Sequence, residues 1–224
     1  MIWPSTPAAL AREQDRVASL VPDPWTPPPG ALRVGACAVV FGRAGRDDMA
    51  WAAAVVEDAG EIVTSCTDVA RINAPFQPGQ LALREGPVLE VVVRGLARRP
   101  DVLLVAAAGR DHPRRAGLAL HIGAVLDLPT VGVTDDPLLA EGREPGPAWG
   151  SEALLRLAGE TVGYRVRTRA GAKPIVAHAA WRTSAEIAAE IVLGSCALAR
   201  WPEPIRAARR IARELRAAET SSEL

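Results

Sequence analysis

The run from Asp101 to Ala108, DVLLVAAA, constrains the fold more than any other part of the sequence. A short run of apolar residues without alternation is typical of a strand buried on both faces, as in parallel sheets covered by helices. A helical pattern around Arg114–Leu126 follows it, and a second short apolar run comes at Thr130–Val133. This order of strand, helix and strand predicts two parallel strands of an α/β sheet.

Three apolar runs precede this unit, at Leu32–Phe41, Met49–Glu57 and Glu61–Val69. The last two are joined by Asp58-Ala59-Gly60, which is a hairpin-type connection. The three runs therefore predict an antiparallel meander. The chain is expected to form a mixed sheet with three antiparallel strands first and parallel α/β units after them.

Helical and strand patterns fill most of the remaining chain. Apolar residues recur at helical spacing from Gly79 to Arg99, with Pro87 suited to the first turn. The other predicted elements are a helix at residues 8–20, strands near Thr161–Thr168 and Pro174–Ala179, and helices at Ser184–Leu198 and Pro204–Ala218. Residues 21–30 contain five prolines and are interpreted as an ordered tether, so the whole 224-residue chain is expected to form one domain.

Composition excludes several classes of protein. Twenty-six basic residues balance 26 acidic ones, which rules out binding to nucleic acid by bulk charge alone. The three cysteines are widely spaced and form no CxxC pair, so neither a zinc site nor a redox motif is indicated. No signal peptide and no apolar run of membrane-spanning length is found, and a cytoplasmic protein without membrane contact is expected.

Four local sequences could carry chemistry. Pro75–Gly79 forms a stiff turn with Phe76 at its tip, although Phe76 could equally pack inward. Glu85 stands beside the predicted helix start, where a carboxylate is ordinarily favourable for the helix dipole alone. The other two sequences, Gly109–Gly117 and Val131–Leu138, follow the two buried strands, where α/β sheets place their sites.

Each of these last two loops has a simpler interpretation as well. His112 could act as a general acid or base and Arg114 and Arg115 could hold phosphates, or the loop could be a capped helix start with solvated arginines. Asp135 and Asp136 could bind a cation, or they could belong to an ordinary turn.

Taken together, these motifs resemble one family. The strings PFQPG, LALREGP, DVLLVAAAGRDHPRRAGLALHIG and LPTVGVTDDPLL are similar to endonuclease V, and the similarity extends over nearly the whole chain. The resemblance implies a ribonuclease H-like fold, a magnesium site at the centre of the sheet, and cleavage of DNA on the 3′ side of deoxyinosine. It also implies a DNA or RNA partner, with inosine as the base recognised.

Most catalytic positions of the family carry other residues here. Cys37 stands where the first strand of the family has an aspartate, Ala106 replaces the aspartate of V-D-G-H-G, and Asp135 replaces the lysine of G-V-A-K. Glu85 matches the glutamate of F-R-E, and His112 matches the functional histidine of the family. A later histidine of the family falls near Trp181.

The substrate-binding positions are better preserved by the same resemblance. Phe76 stands for the aromatic residue of the strand-separating wedge, which continues to Gly79. Leu138 and the loop Ala107–Gly109 match the region that forms the base pocket, and Arg114 and Arg115 are the candidates for phosphate contacts.

These substitutions predict an impaired enzyme. Magnesium prefers hard oxygen ligands, and neither a thiol nor a methyl group supplies one, so metal binding should be weak or absent. The only lysine, Lys173, lies in an expected hairpin turn and cannot replace the lost cation. We therefore expect a degenerate member that retains some nucleic-acid binding.

Two alternatives remain open. Glu85 could hold a relocated metal together with Asp111, Asp135 and Asp136 in an active endonuclease. A role in binding a protein or a small molecule on the inherited fold is the other alternative. The oligomeric state is not indicated by the sequence.

Overall fold

The computed structural model describes residues 3–42, 48–72 and 74–222, which contain eight strands and five helices. The strands are β1 (Val34–Phe41), β2 (Met49–Asp58), β3 (Glu61–Arg71), β4 (Val102–Val105), β5 (Thr130–Thr134), β6 (Glu152–Leu157), β7 (Glu160–Val166) and β8 (Ile175–Ala179). The helices are α1 (Pro7–Ala18), α2 (Leu81–Arg94), α3 (Leu118–Leu126), α4 (Ala185–Gly194) and α5 (Glu203–Ser222). None of these helices is long and apolar enough to cross a bilayer.

The described strands form a single mixed sheet in the order β3-β2-β1-β4-β5-β8-β7-β6. Strands β1, β4 and β5 are parallel, with Cys37 opposite Val105 and Val105 opposite Gly132. All other neighbouring strands are antiparallel. The predicted meander and the predicted parallel pair are therefore both confirmed.

Helices cover both faces of the sheet, which explains why β4 is apolar throughout. Leu103 and Val105 pack on the side of α1, α2 and α3, whereas Val102 and Leu104 pack on the side of α4 and α5. All four side chains are at most 1% exposed. With no face of β4 in contact with water, no position in the strand favours a polar residue.

The chain leaves the sheet at Val105, three residues earlier than the apolar run predicts. The segment after it crosses over β5 at Gly132, where a Cβ atom would lie 2.3 Å from the carbonyl oxygen of Ala107. Ala119 donates its backbone N–H to Ala108 at 3.1 Å, and Gly117 donates to Gly109 at 2.9 Å. The segment thus binds the start of α3, and this helix begins at residue 118 rather than near Arg114.

Helix α2 also differs from its prediction. Pro87 is the seventh residue of the helix and not part of its first turn, so that assignment was wrong. Glu85 is the fifth residue, and the first turn contains no acidic residue. A helix-dipole role for Glu85 therefore does not apply, because that interaction falls off within the first turn.

Strand β6 was not predicted, although the sequence contains its signal. Ala158-Gly159 joins β6 to β7 with φ angles of 51° and 84°, and Ala59-Gly60 joins β2 to β3 with φ angles of 51° and 85°. Two consecutive residues at positive φ define the hairpin turn whose twist matches that of the flanking strands. The same Ala-Gly pair therefore marks both hairpins.

The turn alanines give a test of this geometry. We expect Ala59→Gly and Ala158→Gly each to raise the free energy of unfolding by about 0.5–1 kcal/mol, because a non-glycine residue in the left-handed region costs more than the added chain entropy of glycine. Urea unfolding measures this change. The control Ala217→Gly, on exposed helical backbone of α5, should lower stability by a similar amount. Destabilisation by both turn substitutions would contradict the assignment.

Candidate functional site

Three loops meet in a pocket of about 280 Å³ at the carboxyl ends of β4 and β5. The loops are residues 74–80, 106–117 and 135–140. The lining includes Phe76, Gly79, Ala106, His112, Thr134 and Leu138. The fold thus gathers the motifs that the sequence had left separate, and Glu85, Gly109, Arg114 and Arg115 lie outside this lining.

Phe76 is presented at the rim of the pocket. It is 65% exposed and stands among the large exposed apolar side chains. The alternative in which Phe76 packs into the core therefore does not apply.

The carbonyl of Gly79 anchors the loop that carries Phe76. It lies 3.2 Å from Nε2 of His112 and accepts an N–H from the Gln14 amide at 3.3 Å. Gln14 donates again to Ala116 at 3.1 Å, so α1, the Phe76 loop and the loop after β4 are joined at one point. Gln14 was not singled out in the sequence, since a glutamine in an amphipathic helix carries no distinguishing pattern.

Both ring nitrogens of His112 form hydrogen bonds with the backbone. The backbone N–H of Arg114 donates to Nδ1 at 3.2 Å, which leaves the proton on Nε2 to donate to Gly79. Burial lowers the pKa of His112 and keeps the ring neutral. The structure therefore gives His112 a positioning role between two loops.

Glu85 lies on the sheet side of α2, close to Cys37 on β1. Burial raises the pKa of Glu85 to about 7, against the opposing effect of Arg84. Burial also raises the pKa of Cys37 to about 12, with a further contribution from the Glu85 carboxylate. At neutral pH this pair consists of a partly protonated carboxyl group and a neutral thiol, and Ala106, directly after β4, contributes only a methyl group.

This set of side chains does not fit magnesium, which takes several hard oxygen ligands. Within residues 3–42, 48–72 and 74–222, no three histidine, cysteine, aspartate or glutamate side chains converge in a way that could hold a metal ion.

The carboxylates near the pocket are engaged elsewhere. Asp135 forms an ion pair with Arg200 at 2.6 Å, and Asp136 forms one with Lys173 at 2.7 Å. Lys173 lies in the loop between β7 and β8, as predicted. Neither aspartate approaches Glu85 closely enough to affect its pKa.

Asp111 is fully buried and structural. One carboxylate oxygen accepts the backbone N–H groups of Leu139 and Ala140, each at 2.8 Å, and the other accepts that of Leu138 at 2.7 Å. The carboxylate therefore fixes the loop that follows β5, including the pocket residue Leu138. These three donors engage the oxygens that would otherwise be available to bind a metal ion.

A buried histidine missed by the sequence interpretation lies behind Asp111. His178, on β8, has Nδ1 at 3.8 Å from the Asp111 carboxylate and Nε2 at 2.7 Å from the Thr134 hydroxyl. A polar residue in the apolar run Ile175–Ala179 was the available signal. Trp181, by contrast, is 7% exposed, packs against Gly123 of α3 and takes no part in the pocket.

The two candidate phosphate-binding arginines have carboxylate partners. Arg114 contacts Asp15 of α1 at 2.9 Å, and Arg115 contacts Glu160 at the start of β7. Both pairs are partly exposed, so a phosphate could compete for either guanidinium.

Sheet order, parallel centre and two helical layers define the ribonuclease H-like class of α/β folds. Residues 23–210 match the family model described as Endonuclease V. The chain therefore belongs to the endonuclease V family, as the sequence motifs indicated.

Individual relatives agree with this assignment. Endonuclease V of Streptomyces coelicolor is 37% identical over 209 residues, which cover 92% of this chain and 89% of the relative. The crystal structure of endonuclease V from Streptomyces avermitilis superposes with a TM-score of 0.88 at 33% identity, covering 97% of this chain and 96% of that one. A variant endonuclease V of Ciona intestinalis, in complex with a 23mer DNA containing an inosine followed by a ribo-adenosine, gives a TM-score of 0.76 at 25% identity, covering 93% and 97% of the two chains.

The buried carboxylate provides the first test of the site. We expect Asp111→Asn to lower the free energy of unfolding by about 2–3 kcal/mol, because an amide cannot accept all three backbone donors and leaves a buried N–H unsatisfied. Urea unfolding and amide hydrogen exchange at residues 138–140 measure the effect. The matched control Asp136→Asn removes an exposed ion pair and should change stability by less than about 1 kcal/mol. Equal effects of the two substitutions would contradict the role of Asp111.

Glu85 provides a test through pH. Its folded-state pKa of about 7 lies above the usual value of 4.5, so ionisation destabilises the folded protein as the pH rises from about 4.5 to 7, and the loss persists above that range. We expect Glu85→Gln to match the wild type near pH 4 and to be more stable by roughly 2–3 kcal/mol at pH 8. Urea unfolding across this range measures the difference. A stability difference independent of pH would exclude a raised pKa at Glu85.

Proposed function

We propose that this chain is an endonuclease V family member that binds nucleic acid and does not cleave it by the metal-dependent route of the family. One observation carries the proposal: Glu85, which matches a family position, lies close to the neutral thiol of Cys37, and Ala106 offers only a methyl group where the family has an aspartate. Hydrolysis of a phosphodiester at a magnesium site needs the ion to activate water and to offset phosphate charge. One carboxyl group with a pKa near 7 provides too few anionic oxygen ligands to hold that ion.

The electrostatics of Asp135 support the same conclusion. A carboxylate about 4 Å from a phosphate oxygen costs roughly 4 kcal/mol at an effective dielectric constant near 20, where the lysine of the family would be attractive. The ion pair with Arg200 reduces this cost and also directs the carboxylate away from Glu85. Arg200 and Lys173 bring two cations to Asp135 and Asp136, but each cation is neutralised by its ion-pair partner.

Retention of binding is supported by the pocket. Its volume of about 280 Å³ and its largely apolar wall suit a planar base, and Phe76 at the rim is available to stack on a neighbouring one. The Ciona intestinalis relative was crystallised with inosine-containing DNA, and we extend that ligand class to this chain. DNA and RNA are both candidates, with inosine as the base in the pocket.

An active enzyme with a relocated metal is the second candidate. It would need Glu85 and three aspartates of the β4 and β5 loops around one ion. Asp111 would have to give up three backbone donors, and Asp135 and Asp136 would have to leave Arg200 and Lys173. These contacts weigh against relocation, and the cleavage assay below distinguishes the two candidates.

Cleavage is tested with purified protein and labelled DNA or RNA containing a single inosine. We expect no cut on the 3′ side of the inosine with Mg²⁺ or Mn²⁺, whereas binding in EDTA persists and weakens with salt. The control is an active endonuclease V from Streptomyces on the same substrates. Metal-dependent cleavage that is lost in Glu85→Ala would reject the proposal in favour of a relocated metal.

Restoring the ligands tests the physical cause. The double variant Cys37→Asp with Ala106→Asp should be less stable than wild type without metal, because it buries carboxylates, and Mg²⁺ should raise its melting temperature. Wild type should show no such shift. Differential scanning fluorimetry with and without 10-fold excess EDTA measures this, independently of activity. A rise in the melting temperature of wild type with Mg²⁺ that is as large as the rise in the double variant would contradict the loss of the site.

A further inference from the structure

A chain of three polar side chains runs from the buried interior to the pocket. Asp111 faces Nδ1 of His178 at 3.8 Å, and Nε2 of His178 lies 2.7 Å from the hydroxyl oxygen of Thr134. His178 and Asp111 are both fully buried, whereas Thr134 lines the pocket. Thr134 stands in the place of the alanine of the G-V-A-K motif, so this hydroxyl adds a polar group to the pocket wall.

The single hydroxyl proton of Thr134 is already committed inside the protein. The oxygen has two neighbours at 2.7 Å, which are Nε2 of His178 and the carbonyl oxygen of Asp136. If His178 carries its proton on Nε2, it donates to Thr134, and Thr134 donates to the Asp136 carbonyl. If the proton is on Nδ1, facing Asp111, then Thr134 donates to Nε2.

No arrangement leaves the hydroxyl proton for a ligand. Pointing it into the pocket would bring the oxygens of Thr134 and Asp136 to 2.7 Å with no hydrogen between them, which is repulsive. The same repulsion disfavours the tautomer with the proton on Nδ1, so His178 donates from Nε2 and the remaining lone pair of the Thr134 oxygen is the only part of the hydroxyl left for a ligand. Thr134 therefore presents a hydrogen-bond acceptor to the pocket.

The other polar side chains of the lining likewise have their hydrogen-bond donors engaged within the protein. His112 uses both ring nitrogens on the backbone, and the amide N–H groups of Gln14 are directed to Gly79 and Ala116. Asp136 is an ionised acceptor, since its ion pair with Lys173 lowers the pKa of the carboxyl group. Among the described residues, the side chains of this pocket thus offer acceptors and have their donors engaged.

We propose that Thr134 determines base specificity, by accepting a hydrogen bond from a ring N–H of a lactam purine such as hypoxanthine. This inference rests on the proposed nucleic-acid binding and adds the residue and atom that read the base. A base that offers only a lone pair at that ring position would face the Thr134 oxygen acceptor to acceptor, and the mismatch would leave a buried polar group unpaired.

The test compares single-inosine oligonucleotides with the same oligonucleotides carrying 1-methylinosine, which lacks the ring N–H and keeps the carbonyl group. Dissociation constants are measured in EDTA, so that no cleavage interferes. For wild type, methylation should weaken binding by at least about 10-fold, which corresponds to one hydrogen bond. Thr134→Val keeps the shape and removes the oxygen. For this variant, the ratio of the dissociation constants of the two oligonucleotides should shrink by about 10-fold.

Two further variants serve as controls for loss of the folded structure. Thr134→Ser keeps the hydroxyl and should keep the wild-type ratio, whereas Thr134→Ala removes it without adding a methyl group and should behave as Thr134→Val does. Amide hydrogen exchange of β5 and β8 confirms that each variant is folded before binding is measured. If only Thr134→Ala folds, its ratio alone decides the outcome.

The outcomes separate this inference from the proposed function. A wild-type ratio near one, or an unchanged ratio in the folded variants lacking the hydroxyl, would overturn the role of Thr134 while nucleic-acid binding stands. Failure of wild type to bind any oligonucleotide at low salt would overturn the proposed function and this inference with it.

Discussion

The Asp111 carboxylate is the contact on which the geometry of the site depends. Three backbone N–H groups from the loop after β5 converge on it, so this one side chain, from the loop after β4, holds both loops in register. A buried carboxylate is tolerable only with such compensation, because its desolvation costs several kcal/mol. The pocket wall at Leu138 follows from where that charge is fixed, and Nδ1 of His178 faces the same carboxylate at 3.8 Å.

The carboxyl groups in and near these loops lie in separate environments. In a site built around magnesium, clustered carboxylates need the ion to offset their mutual repulsion. Here the cluster is dispersed: one carboxyl group lies by Cys37, one is tied to backbone amides, and two are paired with Arg200 and Lys173. Three of the four groups have partners of their own, and the fourth, Glu85, is partly protonated at neutral pH.

Local sequence patterns predicted most of the fold but did not predict the roles of the site residues. The apolar run of β4 and the hairpin at Ala59-Gly60 act through nearest neighbours, and the predictions from them agree with the structure. Strand β6 was missed because its alternation is weak, although its turn repeats Ala-Gly. The motifs located the pocket, but the partners of Asp111, Arg114 and Asp135 lie 29, 99 and 65 residues away, and sequence spacing carries no information on such contacts.

The ion pairs of Arg114 and Arg115 have a consequence for how a polyanion would approach this surface. A phosphate that displaces Asp15 or Glu160 exchanges one anion for another at the guanidinium, and the freed carboxylate then recruits a cation from solution. Such an exchange releases fewer ions overall than contact with a bare arginine. Affinity would accordingly fall less steeply with ionic strength than the number of phosphates contacted would suggest, and selectivity would depend more on the base inside the pocket than on the backbone outside it.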